Sequence, residues 1–262
     1  MSHIHIDIEE SDKQLFDRIS KKYALKDIVE SSSGPRRYQL MFAIGPVLKK
    51  LSSINTIVEI ACGLGASSKY LLGNYEKYIG IDYSKKLIEK ASEFYKDNLK
   101  AEFIAENVKN VSASQVGPRS ADVILAVGAL HHMTDLDGVI KSLANIAKPR
   151  AYFIGIEPNS ANPIIQIMRW IWARVNTSYS KDQIFFSKRG LHDLMEKNNF
   201  KDIELEYQGF FTPPFAQVVI NPQLISMPLS KAAIFIDKEL DKFFPGFLKF
   251  LSWNIVIRAK FQ

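Results

Sequence analysis

Short apolar runs alternate with amphipathic segments from Thr56 onward. The alternation predicts strands at Thr56–Ala61, Lys77–Ile81, Lys100–Ala105, Asp122–Val127 and Ala151–Ile156. Between them, helical spacing of apolar positions predicts helices around Ala66–Leu72, Lys85–Tyr95 and Leu136–Ala147. Upstream, Asp12–Tyr23 and Arg36–Leu51 carry the same spacing. Ser31-Ser32-Ser33-Gly34-Pro35 reads as a break between them, because glycine and proline punctuate helices. Strand–helix alternation of this kind implies an α/β fold, a doubly wound and mostly parallel sheet with helices on both faces.

The rhythm changes after Pro158. Asn159–Phe186 is an aromatic-rich insertion, in which Ile164–Val175 reads as a helix, followed by an amphipathic helix at Ser187–Asn198 and a strand at Asp202–Gln208. Pro213, Pro214, Pro222 and Pro228 mark an irregular stretch before a helical segment near Leu229–Phe244. The apolar run Trp253–Ala259 reads as a final, antiparallel strand. No repeat or low-complexity linker divides the chain, so 262 residues are expected to form one domain. Its parts are a helical cap (1–55), a cofactor-binding core (56–158), an aromatic lid (159–186) and a C-terminal part of the sheet with a helical insertion (187–262).

Candidate chemistry concentrates where the first strand ends. Ile57-Val58-Glu59-Ile60-Ala61 runs straight into Cys62-Gly63-Leu64-Gly65, and Asp82 ends the next strand. Such a strand–glycine turn–helix–strand unit lets backbone approach a nucleoside-containing cofactor, while the carboxylate at the second strand's end holds ribose hydroxyls. A dinucleotide site places a third glycine in the helix so that its N-terminus meets a pyrophosphate; here that position is Ser68. The nicotinamide reading weakens accordingly.

Charge and cysteine content remove other classes. Lys and Arg number 34 against 28 Asp and Glu, a net +6, but the charges are interleaved, so nucleic-acid binding is not expected. The lone cysteine, Cys62, excludes an internal disulfide framework, offers no zinc cluster and reads as a small buried residue beside the glycine turn. Asp7, Glu9 and Glu10 occupy the place where a signal peptide needs a basic start, and no apolar run reaches the roughly 18 residues of a membrane span. A cytoplasmic protein, at most peripheral to a membrane, is the expectation.

The acidic first strand before Cys-Gly-x-Gly, entered after an N-terminal helical region, resembles the class I S-adenosylmethionine-dependent methyltransferases. Three further segments extend the resemblance in order: Tyr78-Ile79-Gly80-Ile81-Asp82-Tyr83, Phe103-Ile104-Ala105-Glu106-Asn107, and Asp122–Val127 with Gly128-Ala129-Leu130-His131-His132-Met133. The resemblance implies a Rossmann-like seven-stranded sheet and S-adenosyl-L-methionine as cofactor. It also implies that Glu59, Gly63 and Gly65 approach the cofactor's methionine and ribose portions, that Asp82 accepts from the ribose hydroxyls, and that Tyr83 lies against adenine. Glu106, or Asn107 in its place, would read the adenine amino group. Each has a plainer alternative: Glu59 capping a loop or pairing with a lysine, Asp82 as the N-cap of the helix near Ser84, Tyr83 as a packed aromatic.

Methyl transfer from a sulfonium is an in-line displacement whose leaving group needs no acid, so alignment is the main task. A base matters only if the acceptor must lose a proton. His132, His131 and Glu157 are the candidates, each just beyond a strand at the ligand-binding end of the sheet. An orienting or structural role is the alternative for all three. No metal site is expected, since adjacent histidines are not an i, i+4 pair and no acidic or cysteine cluster joins them.

Trp170, Trp172, Phe185 and Phe186 would wall an acceptor pocket, and Arg169, Arg174 and Lys181 would meet phosphate or carboxylate; ordinary packing against the sheet is the alternative. Arg36-Arg37-Tyr38 reads as a solvated helix start rather than an anion clamp. The Phe- and Lys-rich C-terminal third fits either a helix covering the last strands or an interfacial helix. The expected function is methyl transfer from S-adenosylmethionine to a small-molecule or lipid-linked acceptor, a saccharide among them, at oxygen. An NAD(P)-dependent oxidoreductase and a non-catalytic S-adenosylmethionine-binding protein remain the alternatives.

Overall fold

In a computed structural model, the described residues are 13–18, 20, 24–111, 113–175, 185–243 and 245–262. Asp7, Glu9, Glu10, Lys181, Phe244 and parts of the segment Asp12–Tyr23 lie outside them; residues 13–18 and 24–28 are helical. Helix α1 spans Glu30–Lys50, and a first βαβαβ passage follows: β1 Thr56–Ile60, α2 Ala66–Tyr70, β2 Lys77–Asp82, α3 Lys85–Phe94, β3 Ala101–Ala105. After the single turn α4 (Ala113–Val116) come β4 Ala121–Val127, α5 Leu136–Ile146 and β5 Ala147–Pro158. Then α6 Pro163–Val175, α7 Lys188–Lys197, β6 Lys201–Gln208, α8 Thr212–Gln217, α9 Gln223–Phe243 and β7 Asn254–Lys260 complete the chain.

The seven strands lie in the order β3-β2-β1-β4-β5-β7-β6. Strands β1 to β5 pair in parallel, and β7 inserts antiparallel between β5 and β6. The order reverses beside β1, where β2 leaves to one side and β4 to the other, which opens a crevice at the strands' carboxyl ends. Alternate residues of one strand feed two cores. Val58 and Ile60 face the layer containing Val139, Leu143 and Leu191, while Ile57 faces the layer with Leu40, Ile44 and Val47 of α1. β1 is buried along its whole length, which explains its nearly unbroken apolar run and makes the one acid in it, Glu59, conspicuous.

Several boundaries differ from the sequence reading for physical reasons. The expected break at Ser31–Pro35 is helical: Ser31, Ser32 and Pro35 are buried in α1, and Ser32 Oγ donates to Ala216 O at 3.4 Å. Their small size allows α8 and α9 to pack closely, with Ile234 Cδ1 3.6 Å from where a Cβ on Gly34 would sit, and this packing overrides turn propensity. Pro213 and Pro214 likewise open α8 at its first turn, where a missing N–H costs nothing, and Pro228 lies inside α9. Pro46 within α1 cannot donate to Phe42 O; buried Arg258 donates Nη2 to that carbonyl at 2.9 Å and Nε to Ala43 O at 2.7 Å. β5 starts at Ala147, earlier than expected, because Ala147 pairs with Ala121 across a register shift.

Candidate active site

The glycine turn is shaped by backbone conformations that side chains resist. Ala61, Gly63 and Gly65 have φ of 48°, 56° and 70°, so the chain leaves β1 through left-handed residues, and Gly65 stands at the N-cap of α2. Gly65 is also a close approach, since a Cβ there would sit 2.1 Å from Phe103 Cε1. Asp82 ends β2 beside this turn, 4% exposed; Oδ2 accepts from Gly63 N and Oδ1 from Ser84 N, both at 2.9 Å. Burial raises its carboxyl to about 6, against the pull of those two N–H groups. Asp82 is not the helix cap, a role taken by Ser84, whose Oγ accepts from Leu87 N at 3.2 Å. Each Asp82 oxygen keeps a second lone pair for a ligand hydroxyl.

Glu59 is equally buried. Ser67 Oγ donates to its Oε1 at 2.9 Å and the Tyr78 hydroxyl to Oε2, while burial raises the carboxyl to about 7. Arg36, expected to be a solvated helix start, instead lies mid-helix with its Nε 2.8 Å from Asp27 Oδ1, near enough to Glu59 for its charge to counter that rise. Around this group, both Asp27 oxygens and the Ser68 and Tyr70 hydroxyls are buried without an aligned hydrogen-bond partner among the described residues. A buried carboxylate pair, an arginine and two hydroxyls gathered in this way suit a ligand carrying amino and carboxylate groups. Cys62 is buried there too, and burial pushes its thiol up, consistent with an inert residue.

Tyr83, Glu106 and Asn107 are half-buried at the ends of β2 and β3. Glu106 Oε1 accepts from Asn107 N at 2.9 Å, and Asn107 Oδ1 caps the following turn through Lys109 N at 3.0 Å.

The loop after β4 is held by one buried carboxylate. Glu157, at the end of neighbouring β5, is fully buried; Oε1 accepts from Ala129 N and Leu130 N at 3.0 and 2.8 Å, and Oε2 from His131 N at 3.3 Å. The His131 ring places Nδ1 2.8 Å from Oε2. Glu157, a candidate base in the sequence, therefore has no open face toward an acceptor, since its lone pairs are committed to the turn and to His131. His131 and His132 have ring centroids 4.2 Å apart, and His132 lies close enough to Asp82 for its charge to act on that carboxyl.

The N-terminal helical residues close this end of the sheet, which no sequence signal had linked to the site. Phe16 packs edge-on against His132 at 5.4 Å, Asp17 accepts from Ser84 Oγ, and Ala24 packs with Leu64 and Leu87. An open groove of about 600 Å³ lies elsewhere, between α7 and β6.

A methyltransferase domain model matches residues 33–205. The chain belongs to the class I S-adenosylmethionine-dependent methyltransferases. Its methyl donor is S-adenosylmethionine, and the missing third glycine at Ser68 agrees with that rather than with a dinucleotide. A methyltransferase of Thermotoga maritima shares the fold at TM-score 0.65 and 20% identity, covering 95% of this chain and 99% of its own. One from Archaeoglobus fulgidus aligns at TM-score 0.56 and 14% identity, with coverage of 86% and 94%. A Haemonchus contortus phosphoethanolamine N-methyltransferase, solved with phosphomonomethylethanolamine and S-adenosylhomocysteine, aligns at TM-score 0.58 and 14% identity over 86% of this chain and 52% of its own. No curated protein sequence matches the methyltransferase.

Proposed function

We propose that the methyl group goes to an oxygen of a small-molecule or lipid-linked acceptor, a saccharide hydroxyl among the candidates. The observation that carries this reading is the His131–Glu157 contact of 2.8 Å beside the second imidazole of His132. The bound cofactor supplies a methyl group on a sulfonium, whose departing thioether is neutral. An amine acceptor brings its own lone pair, whereas a hydroxyl must shed a proton, and a carboxylate-held imidazole pair suits that need.

Glu157 acts through His131: accepting from Nδ1–H fixes the tautomer, and its three backbone bonds fix the loop. His132, half-buried with its ring tilted 40° to that of His131, takes the acceptor proton. Asp82 holds the ribose hydroxyls, Tyr83 lies along adenine, and Glu106 or Asn107 meets the adenine amino group. The turn at Gly63 and Gly65 admits the cofactor backbone to backbone. Glu59 and Asp27 meet the cofactor's amino group, with Arg36 on its carboxylate. Helix α6, rising from the end of β5, supplies an apolar wall to the acceptor side. Burial of Asp82 and Glu59 keeps both carboxylates out of water, which strengthens their hold on the cofactor's ribose and amino group.

The test is transfer of tritium from methyl-labelled S-adenosylmethionine to a panel of hydroxyl and amine acceptors. With a hydroxyl acceptor, His132→Asn should lower kcat about 100-fold with KM little changed, and Glu157→Gln should lower kcat while shifting the pH profile. Wild-type kcat in His132→Asn would remove His132 as the base, and turnover with amines alone would remove the oxygen acceptor.

A further inference from the structure

Helix α9 is built inside out. Its buried stripe is Ser226, Ser230, Ala233, Asp237 and Asp241, whereas Leu224, Phe235 and Phe243 are 86%, 68% and 77% exposed. The inward acids have structural work: Asp237 accepts from the backbone of Phe210, Phe211 and Thr212, and Asp241 accepts from Gly209 N and the Tyr38 hydroxyl. Nothing in that explains the apolar outer face, which reverses the pattern of a helix facing water.

The apolar face continues beyond α9. The turn Gly246–Leu251 buries no residue and exposes Phe247 at 78%. Asn159 and Asn162 donate from their side-chain amides to the carbonyls of Phe250 and Leu251, which fastens the start of α6 to this turn. Among the described side chains of α6 only Ile165 is buried, and Ile164 and Ile167 are exposed. Since α6 leaves from the end of β5, this surface flanks the crevice at the strands' carboxyl ends.

Charge identifies the occupant. Neither Asn159–Val175 nor Gly209–Ile236 contains an acidic residue, and Glu239 is the one acid that α9 exposes, against exposed Lys231, Lys238 and Lys242. A second copy of the chain would bring like charges together across the same apolar patch. No helix among the described residues is long and apolar enough to cross a membrane. We infer that α9, the Gly246–Leu251 turn and α6 form a surface that lies on an anionic lipid bilayer, aromatic and aliphatic side chains among the acyl chains and lysines at the phosphates. The docking rests on this surface alone; only its consequence, that an acceptor is taken from the bilayer, rests on the proposed lipid-linked substrate.

The experiment is flotation of the full chain with phosphatidylcholine vesicles that contain or lack phosphatidylglycerol, without cofactor or acceptor. The protein should float with the anionic vesicles, less so at high salt, and stay behind with the neutral ones. Phe243→Ser with Phe247→Ser, and separately Lys238→Glu with Lys242→Glu, should each weaken partitioning about ten-fold or more, with unchanged melting curves because these side chains are exposed. Leu224→Ser repeats the apolar test should the aromatic pair alter folding. Three results would overturn the inference: no flotation with anionic vesicles, equal flotation of the variants, or a dimer in gel filtration that the aromatic substitutions dissolve.

Discussion

If Glu59 meets the cofactor's amino group, as proposed, cofactor binding should expel a proton, because burial holds that carboxyl near half-protonation at neutral pH. Glu59 is raised to about 7 by burial, so near that pH about half the unliganded molecules carry its proton. An ammonium beside it favours the ionised form, and binding then costs the free energy of deprotonation wherever the unliganded group is protonated. The sign follows: affinity is full above pH 7 and falls as pH drops through it. Between pH 8 and pH 6 the loss from Glu59 is about ten-fold, and Asp82, raised to about 6 and held ionised by ribose hydroxyls, adds roughly a further two-fold. S-adenosylhomocysteine is the probe, titrated calorimetrically at several pH values and in buffers of different ionisation enthalpy. At pH 7 the buffer dependence should report release of about half a proton. Glu59→Gln should bind more weakly at pH 8 and lose most of the slope, keeping roughly the two-fold part due to Asp82. A flat profile, tighter binding in acid, or an unchanged slope in Glu59→Gln would refute the placement of the amino group.

Gly65→Ala meets both a left-handed φ of 70° and a ring carbon 2.1 Å from the new Cβ. It should cost about 2–4 kcal/mol in urea unfolding and abolish cofactor binding, with Phe103→Leu recovering part of the stability. Arg258→Met removes the donors to Phe42 O and Ala43 O beside Pro46, and should lower stability by about 2–4 kcal/mol while leaving cofactor affinity within a few-fold, because the defect lies at α1 and the sheet rather than at the crevice.

Much of the turn between β1 and β2 was legible in the sequence because it depends on local geometry. A buried parallel strand must be apolar, a left-handed turn needs glycine, and the acid ending β2 stands beside that turn because β1 and β2 are neighbours in the sheet. What escaped reading depends on contacts between distant segments. Ser31–Pro35 looks like a break until α8 and α9 pack on it, and nothing in the sequence marks Asp237 as the acceptor for the N–H groups of Phe210, Phe211 and Thr212. Glu157 and His131 were both marked as strand-end residues, but their pairing follows from β4 and β5 being adjacent. The link from Phe16 to His132 had no local signal at all. Apolar spacing in α9 left open whether its apolar face covers the last strands or turns outward, since periodicity reports which residues share a face and not which way that face turns.

The claim of methyl transfer to oxygen is met most directly by turnover with S-adenosylmethionine carrying a carbon-13 methyl group, supplied with hydroxyl-bearing acceptors in free and vesicle-bound form, and read by carbon–proton correlation of the product. The expected result is a labelled methyl in the methoxy region, correlated through the oxygen to the acceptor's carbinol position and lost with Asp82→Ala. A label on nitrogen or carbon would contradict it, and wild-type transfer by Asp82→Ala would remove Asp82 from the cofactor site.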